Sequence, residues 1–456
     1  MRPLPGGSPV SDVVAPGDDV YDDLRRIYNS LHDQHPALIV RVAETSDVAR
    51  ALELARVAGH EVAVRGGGHS IAGHGSTEGG LLIDLAGLDH IDIDARGQVA
   101  RVGAGVTAGR LTAASCRQDL VVPLGDSPDV GVGGITLGGG IGWLSRKLGL
   151  TLDSLESAEV VTADGRVVTA SEDDHSDLFW AIRGGGGNFG VVTEFRYRLH
   201  PIGAIVGGLL ALPASTDVLL GIIELAAAAP DELGIISLVT RLPPLGFVPP
   251  EAHGRPAILI SLVWCGDQGE GDRQVDRFRA LAPPLVDLVQ PRRYPEMYAM
   301  LAEVPTSITN ITSSFLADEL DEAAVDVIIR SVSDAAARPD VLTGVEVRVL
   351  GGAINRVSET ATAFAHRRRN IICSVVAAGF NRSEARPHRL WVTSVTDQLG
   401  HLAKGAYVNF LDAADQHRLD EVYPEKTRRR LVDVKMRYDP DNIFHRNLNI
   451  RPAVDG

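Results

Sequence analysis

The sequence predicts a two-domain α+β protein, and three observations carry that prediction. Three glycine clusters lie in the first half of the chain, at 66–68, 131–142 and 184–190, each beside a strand-like apolar run. Strand and helix patterns alternate from Leu38 to Leu199. Composition then shifts near Pro201, and a second region of strands and helices runs to about Phe410. With 456 residues the chain exceeds one ordinary domain, and 45% hydrophobic residues suffice for folded cores.

Taken in order, residues 1–20 read as a flexible arm. Leu38 to Val42 is a strand, and Thr45, Ser46 and Asp47 offer N-cap candidates for the helix that follows. Val48, Ala51, Leu52 and Ala55 share one face of that helix, and Gly59 is a suitable stop. The next strand, 62–64, breaks into Gly66, Gly67 and Gly68, completing a β-α-β unit whose loop lies where such folds bind ligands. Glycines there let the chain turn and bring bare N–H groups against an anion, aiming His69 at whatever the loop holds. Segments 81–85 and 98–102 read as strands, and 107–118 as a helix. Asp164 and Gly165, between β-branched runs, predict a hairpin. Residues 177–183 are helical in pattern, and 191–199 alternates as a strand. Proline pairs at 243–244, 249–250 and 283–284 punctuate the second region. A charged helical stretch at 412–438 ends in a turn at 438–444.

The formal charge of −15 excludes nucleic acid and anionic membranes as partners, which require clustered cations. The basic runs at 367–369 and 428–430 read as solvated helix faces. Cys116, Cys265 and Cys373 are far apart and form no CxxC spacing, so neither a disulfide framework nor a metal site is indicated. Each reads as a core residue. The polar, proline-rich start lacks a signal-type apolar segment, and no run approaches membrane-spanning length, so a cytoplasmic protein is expected.

Gly185, Gly187 and Gly190 fit the G-x-G-x-x-G spelling, but a strand-like run follows where a dinucleotide-binding helix should open. The 131–142 cluster lacks the Lys-Ser or Lys-Thr of a phosphate-binding P-loop. What survives is one extended dinucleotide held by backbone amides in a non-Rossmann α+β fold. At this point the chain resembles the FAD-linked oxidases of the berberine bridge enzyme type, in the vanillyl-alcohol-oxidase-like superfamily. The matching pieces are Arg65 to Ser70, Gly131 to Gly140, Leu178 to Gly184 with Asn188 to Gly190, Tyr407 to Phe410, and Tyr438 to Phe444. They run in family order from about residue 35 to 452, and the spelling is nearest to the singly tethered bacterial branch.

The resemblance implies a PCMH-type two-subdomain FAD-binding domain, residues 1–205 completed by 413–456. An antiparallel-sheet substrate domain with helices would occupy 206–412. It implies that His69 bonds covalently to the 8α-methyl of FAD, for which a neutral imidazole is a fitting nucleophile. Ser127 stands where many relatives carry a second, cysteinyl tether, so one bond is expected. The other cofactor-binding positions carried over are Arg65, Gly66, Gly67, Gly68, Ser70, Val130, Gly131, Gly133, Gly134, Thr136, Gly138, Gly139, Gly140, Gly142, Gly187, Asn188, Gly190, Val192 and Asn447. Val130 matches the family's oxygen gate, where a small side chain accompanies reaction with O2; plain packing is the equal alternative. Tyr407 is the candidate catalytic base, with Asn409 beside it on one strand face. Its alternative is a sheet tyrosine with a surface hydroxyl. Glu346 and Arg348 alternate along a strand, as an exposed face or, second, as pocket residues. The implied reaction is hydride transfer to flavin N5 from a C–H next to oxygen or nitrogen. The substrate would be a small sugar, alkaloid or other secondary metabolite, with O2 reduced to H2O2. The rivals are a flavin dehydrogenase with another acceptor and a flavin-binding protein without turnover.

Overall fold

The computed structural model describes residues 12–300, 308–335, 338 and 341–453. In its first sheet, Leu38–Arg41 and Val62–Arg65 both pair in parallel with Leu81–Asp84, which lies between them. The helix Thr45–Ala58 crosses over this sheet and buries Val48, Ala51, Leu52 and Ala55 against it. Its cap differs from the expected 45–47 cluster. Glu44 is the N-cap, and the Asp47 carboxylate reaches back to accept from the Glu44 N–H at 3.1 Å, a capping box built from two acids. Gly59 ends the helix in the left-handed region at φ 68°. Asp12–Val14 pairs antiparallel with Leu38–Arg41, so the expected arm is a strand here. Residues 1–11 of that arm lie outside the described residues.

A second, antiparallel sheet runs in the order Ile91–Asp94, Val99–Gly103, Val191–Arg198, Leu155–Val161, Val167–Ser171. Gly165, at φ 82°, turns the hairpin between the last two in sequence. The same core takes in the end of the chain, where Leu431, Val434, Phe444 and Ile450 pack with Phe189 and Phe195. The 412–438 stretch is not one helix. Pro424 separates Leu419–Val422 from Glu425–Tyr438, because the ring removes a donor and excludes a continuous turn. Lys435 anchors the last helix from inside the core, with Nζ donating to Asp439 Oδ2 (2.5 Å), Asn188 O (2.8 Å) and Phe444 O (3.0 Å). The expectation of solvated basic runs fails at Arg367, which is fully buried and bidentate on Asp153 at 2.7 and 2.8 Å.

The third sheet is antiparallel throughout its main path. Its order is Val286–Asp287, Ile205–Pro213, Pro256–Trp264, Leu233–Arg241, Leu342–Val349, Ile371–Ala378, Asn310–Ala317. Helices Thr216–Ala228, Glu322–Asp334 and Ala385–Leu399 cover one face, packing Ile222, Ile328 and Val395 onto Val345, Val347, Cys373 and Val375. The two-residue period of a strand sends the intervening Glu346, Arg348 and Ser374 to the opposite face. That face looks onto the glycine segments of the first half. Among the described residues no helix is long and apolar enough to cross a membrane.

Candidate active site

The three glycine segments converge on one cavity of about 530 Å³. The strand Val62–Arg65 delivers the first, and Gly68 turns it at φ 70°. Gly67 and Gly131 touch backbone to backbone, so a Cβ on either would lie 2.3 Å from the other's nitrogen. Glycine is required at this crossing for that reason. The second segment is mostly a helix rather than a loop, Val132–Gly138 with Gly131 as N-cap. Gly131, Gly133 and Gly134 line the cavity, as do Gly66, Gly67, Gly68, Gly187 and Gly190.

Five expected cofactor positions do not line it. Thr136 faces away and hydrogen-bonds Tyr197 Oη at 2.7 Å, because the helix turns its side chain into the second sheet. Gly138 and Gly139 pack against the side chains of Asn409 and Tyr407, Gly140 against Thr151, and Gly142 against the Leu124 carbonyl. Two others line it but have their polar groups engaged by the protein. Arg65 pairs with Asp84 at 2.9 Å and donates to the Leu24 carbonyl. Asn188 donates to Gly185 O and Leu448 O and accepts from the Ile450 N–H, stitching the C-terminal segment to the third glycine run. Ser70, Ser127, Val130, Val192 and Asn447 also face the cavity.

His69 stands on the same wall, its ring stacked on Tyr28 with centroids 4.5 Å apart and planes at 18°. Burial lowers its pKa and the Asp129 carboxylate only partly opposes this, so the imidazole is neutral at pH 7. Cys116 lies apart, in a cluster with Val121 and Trp143, and burial pushes its thiol up to about 11.

Across the cavity, Tyr407 and Asn409 come together through a 3₁₀ turn, Val408–Phe410, and not along a strand face as expected. The Tyr407 hydroxyl oxygen accepts from the Gly140 N–H and from Asn409 Nδ2, each at 3.0 Å. Burial pushes its pKa up to about 12, against the pull of those two donors and of Arg348. The alternative of a surface hydroxyl fails, since Tyr407 is 3% exposed. The preferred reading of Glu346 and Arg348 as an exposed face fails too. Arg348 is 6% exposed, pairs with Glu346 at 2.6 Å and Asp126 at 2.9 Å, and lies over the Phe410 ring at 5.1 Å. Burial opposes its charge, but the two carboxylates more than offset that and raise its pKa.

Sequence reasoning missed Tyr28, Asp126, Asn310, Thr312 and Ser374, all on the cavity wall. A usable signal existed for three of them. Asn310 and Thr312 flank Ile311 at the polar start of their strand, and Ser374 is the one hydroxyl in Ile371–Ala378, which hints at a strand face that is not core. Nothing local marks Asp126, whose partner Arg348 is 222 positions away.

Comparison with known proteins agrees with this geometry. A family model described as "FAD binding domain" matches residues 36–171, and one described as "Berberine and berberine like" matches 406–451. The (R)-6-hydroxynicotine oxidase of Paenarthrobacter nicotinovorans is 30% identical over 97% of this chain and 96% of its own length. The chain is a berberine-type FAD-linked oxidoreductase. This berberine-type enzyme has the PCMH-type fold. The crystal structure of 6-hydroxy-D-nicotine oxidase from Arthrobacter nicotinovorans superposes with a TM-score of 0.87 at 27% identity, covering 99% of this chain and 100% of that one. The glucooligosaccharide oxidase of Acremonium strictum, whose FAD is 6-S-cysteinyl and 8α-N1-histidyl, shares the fold at TM-score 0.85. It is 22% identical, with 97% and 98% of the two chains covered.

The oxidoreductase's cavity fits an FAD. A Cβ at Gly134 or Gly187 would meet no protein atom within 4 Å, so bare backbone borders the cavity there. Buried Oδ1 of Asn447, Nη1 of Arg348 and Oγ of Ser374 also border it, with no hydrogen-bond partner among the described residues. A ligand filling the cavity would complete these atoms, which are costly to leave unsatisfied.

Proposed function

We propose that this oxidoreductase is an oxidase carrying FAD on a single covalent bond from His69 to the 8α-methyl. Its substrate is a small organic molecule with an oxidisable C–H next to oxygen or nitrogen. The observation that carries the reading is that one cavity is lined at once by His69, by the three glycine segments and by Tyr407 with its charged neighbours. Residues 1–205 with 413–456 then hold the cofactor, and 206–412 supply the substrate wall. Backbone at Gly66, Gly67, Gly133, Gly134 and Gly187 holds the dinucleotide, and Asn447 supplies a side-chain amide. The neutral His69 imidazole offers an in-plane lone pair for the bond. Ser127 faces the cavity as a hydroxyl, which does not form the thioether of a cysteinyl link, so one tether remains.

When bound, FAD supplies the two-electron acceptor for a substrate hydride and returns the electrons to O2 as H2O2. Tyr407 receives the substrate's heteroatom proton. Its oxygen already accepts from Gly140 and Asn409, two donors that stabilise the phenolate as charge develops. Val130, a small side chain on the cavity wall, leaves room for O2. Arg348 is outnumbered by the carboxylates of Glu346 and Asp126, so the substrate wall favours a neutral or cationic group over a carboxylate. Such substrates include sugars, alkaloids and other hydroxylated secondary metabolites.

Denaturation in acid tests the central claim. Yellow, fluorescent flavin should stay with the chain, and digestion should find it on the peptide holding His69 and on no cysteine peptide. Release of all flavin would overturn the covalent assignment. For the acceptor, reduced enzyme mixed with air should reoxidise rapidly and Val130→Ile should slow that step. Equally slow reoxidation in both proteins would favour the dehydrogenase reading.

A further inference from the structure

Tyr28 lies in the segment that leads into the first sheet. Its backbone N–H donates to the Gly68 carbonyl at 3.0 Å, one residue before His69, and its own carbonyl accepts from the Ile308 N–H at 2.9 Å. The next residue, Asn29, is fully buried and donates to the carbonyls of Ile71 and Asn310, both at 2.9 Å. The Tyr28 hydroxyl lies toward the Asn310 side chain, which opposes the upward push of burial on its pKa. This strap therefore bolts the His69 loop to the edge strand of the third sheet and fixes the backbone that carries the tyrosine ring.

No hydrogen bond holds the His69 ring among the described residues. Histidines at reactive positions are usually oriented by a bond to the second ring nitrogen. Here the ring lies against Tyr28, a stack that restrains the plane of the imidazole. A stacked neighbour covers one face of the ring and leaves both nitrogens, whose lone pair and N–H lie in the plane, open at the edge. It also keeps the ring desolvated and therefore neutral, in line with the lowered pKa.

We propose that Tyr28 is a positioning residue for covalent attachment of the flavin to His69. This rests on the His69 tether proposed above. Attachment breaks one C–H bond of the 8α-methyl and the imidazole N–H and forms one C–N bond. Two electrons and two protons leave with O2 as H2O2. Tyr28 takes no part in that exchange; it holds the imidazole edge toward the methyl group and limits rotation of the ring.

The test follows attachment in apoprotein mixed with FAD in air, reading at intervals the fraction of flavin that survives acid precipitation with the chain. Tyr28→Phe keeps the stack and should attach at a rate within about twofold of wild type. Tyr28→Leu keeps apolar bulk without the ring face. It should bind FAD, turn yellow and attach roughly tenfold more slowly, the upper range for an aromatic pair. If Tyr28→Leu does not fold, Tyr28→Met makes the same comparison. Leucine or methionine variants that attach at the wild-type rate would overturn the role of Tyr28. Wild-type protein that never retains flavin in acid would instead overturn the His69 tether, so the two failures are distinct.

Discussion

The two walls of the cavity are built on different principles. The proposed cofactor wall is made of backbone, from glycine segments within the first 190 residues and locked by the returning C-terminal helix. The proposed substrate wall is made of side chains, alternate residues of the Leu342–Val349, Ile371–Ala378 and Asn310–Ala317 strands together with Tyr407. A backbone wall works by what is absent, since any Cβ at the Gly67–Gly131 crossing would collide. A side-chain wall works by what is left over, since Arg348 Nη1 and Ser374 Oγ are buried without partners among the described residues. The first therefore admits no side chain at its crossing, and the second is defined by the side chains it carries.

This contrast can be broken or sharpened by four substitutions. The largest effect should come from Tyr407→Phe, slowing flavin reduction by about 10²–10⁴-fold with flavin content unchanged. Because the phenol is pushed up to about 12, its ionised fraction grows with pH, so wild-type reduction should quicken as pH rises toward that value. The phenylalanine variant should lose that slope. A variant that reduces as fast as wild type at every pH would remove Tyr407 from the chemistry.

Next in size is Lys435→Met, on the cofactor side. It leaves the Asp439 carboxylate buried without its partner and should destabilise the fold by about 3–5 kcal/mol in denaturant titration. Loss of flavin should follow, because Lys435 also holds the Asn188 carbonyl. A midpoint equal to wild type would show that the C-terminal helix docks without this ion pair. Gly67→Ala should cost roughly 1–3 kcal/mol by overpacking against Gly131 and weaken FAD retention. If thermal melts and flavin content are unchanged, the crossing is looser than its geometry implies.

The smallest effect belongs to the substrate wall. Ser374→Ala removes an oxygen that makes no hydrogen bond among the described residues, so stability should move by less than about 0.5 kcal/mol. The value of kcat/KM for a substrate that bonds this hydroxyl should fall by up to about tenfold, the worth of one hydrogen bond. A loss of stability without a change in kcat/KM would mean that Ser374 serves the sheet and not the substrate.

The sequence by itself determined much of the local backbone around the first glycine segment. Local rules suffice where one short segment must turn sharply, as at Gly68, or end a helix, as at Gly59. They also suffice for the strand periods and the Asp164–Gly165 hairpin. Local spelling misassigned the 131–142 cluster as a loop. Its Gly138, Gly139 and Gly140 pack against Asn409, Tyr407 and Thr151, and Gly131 against Gly67, contacts that local pattern does not reveal. Only the tertiary structure decided which face of the Leu342–Val349 strand is solvated. Glu346 and Arg348 look like surface residues in the alternating pattern, yet the cofactor half covers them and Asp126 reaches in from 222 positions away. Tyr28 was equally hidden, since its place depends on a strap joining Gly68 to Ile308. The physical reason is common to these cases. Backbone conformation is set by neighbours in the chain, whereas burial and charge pairing are set by neighbours in space.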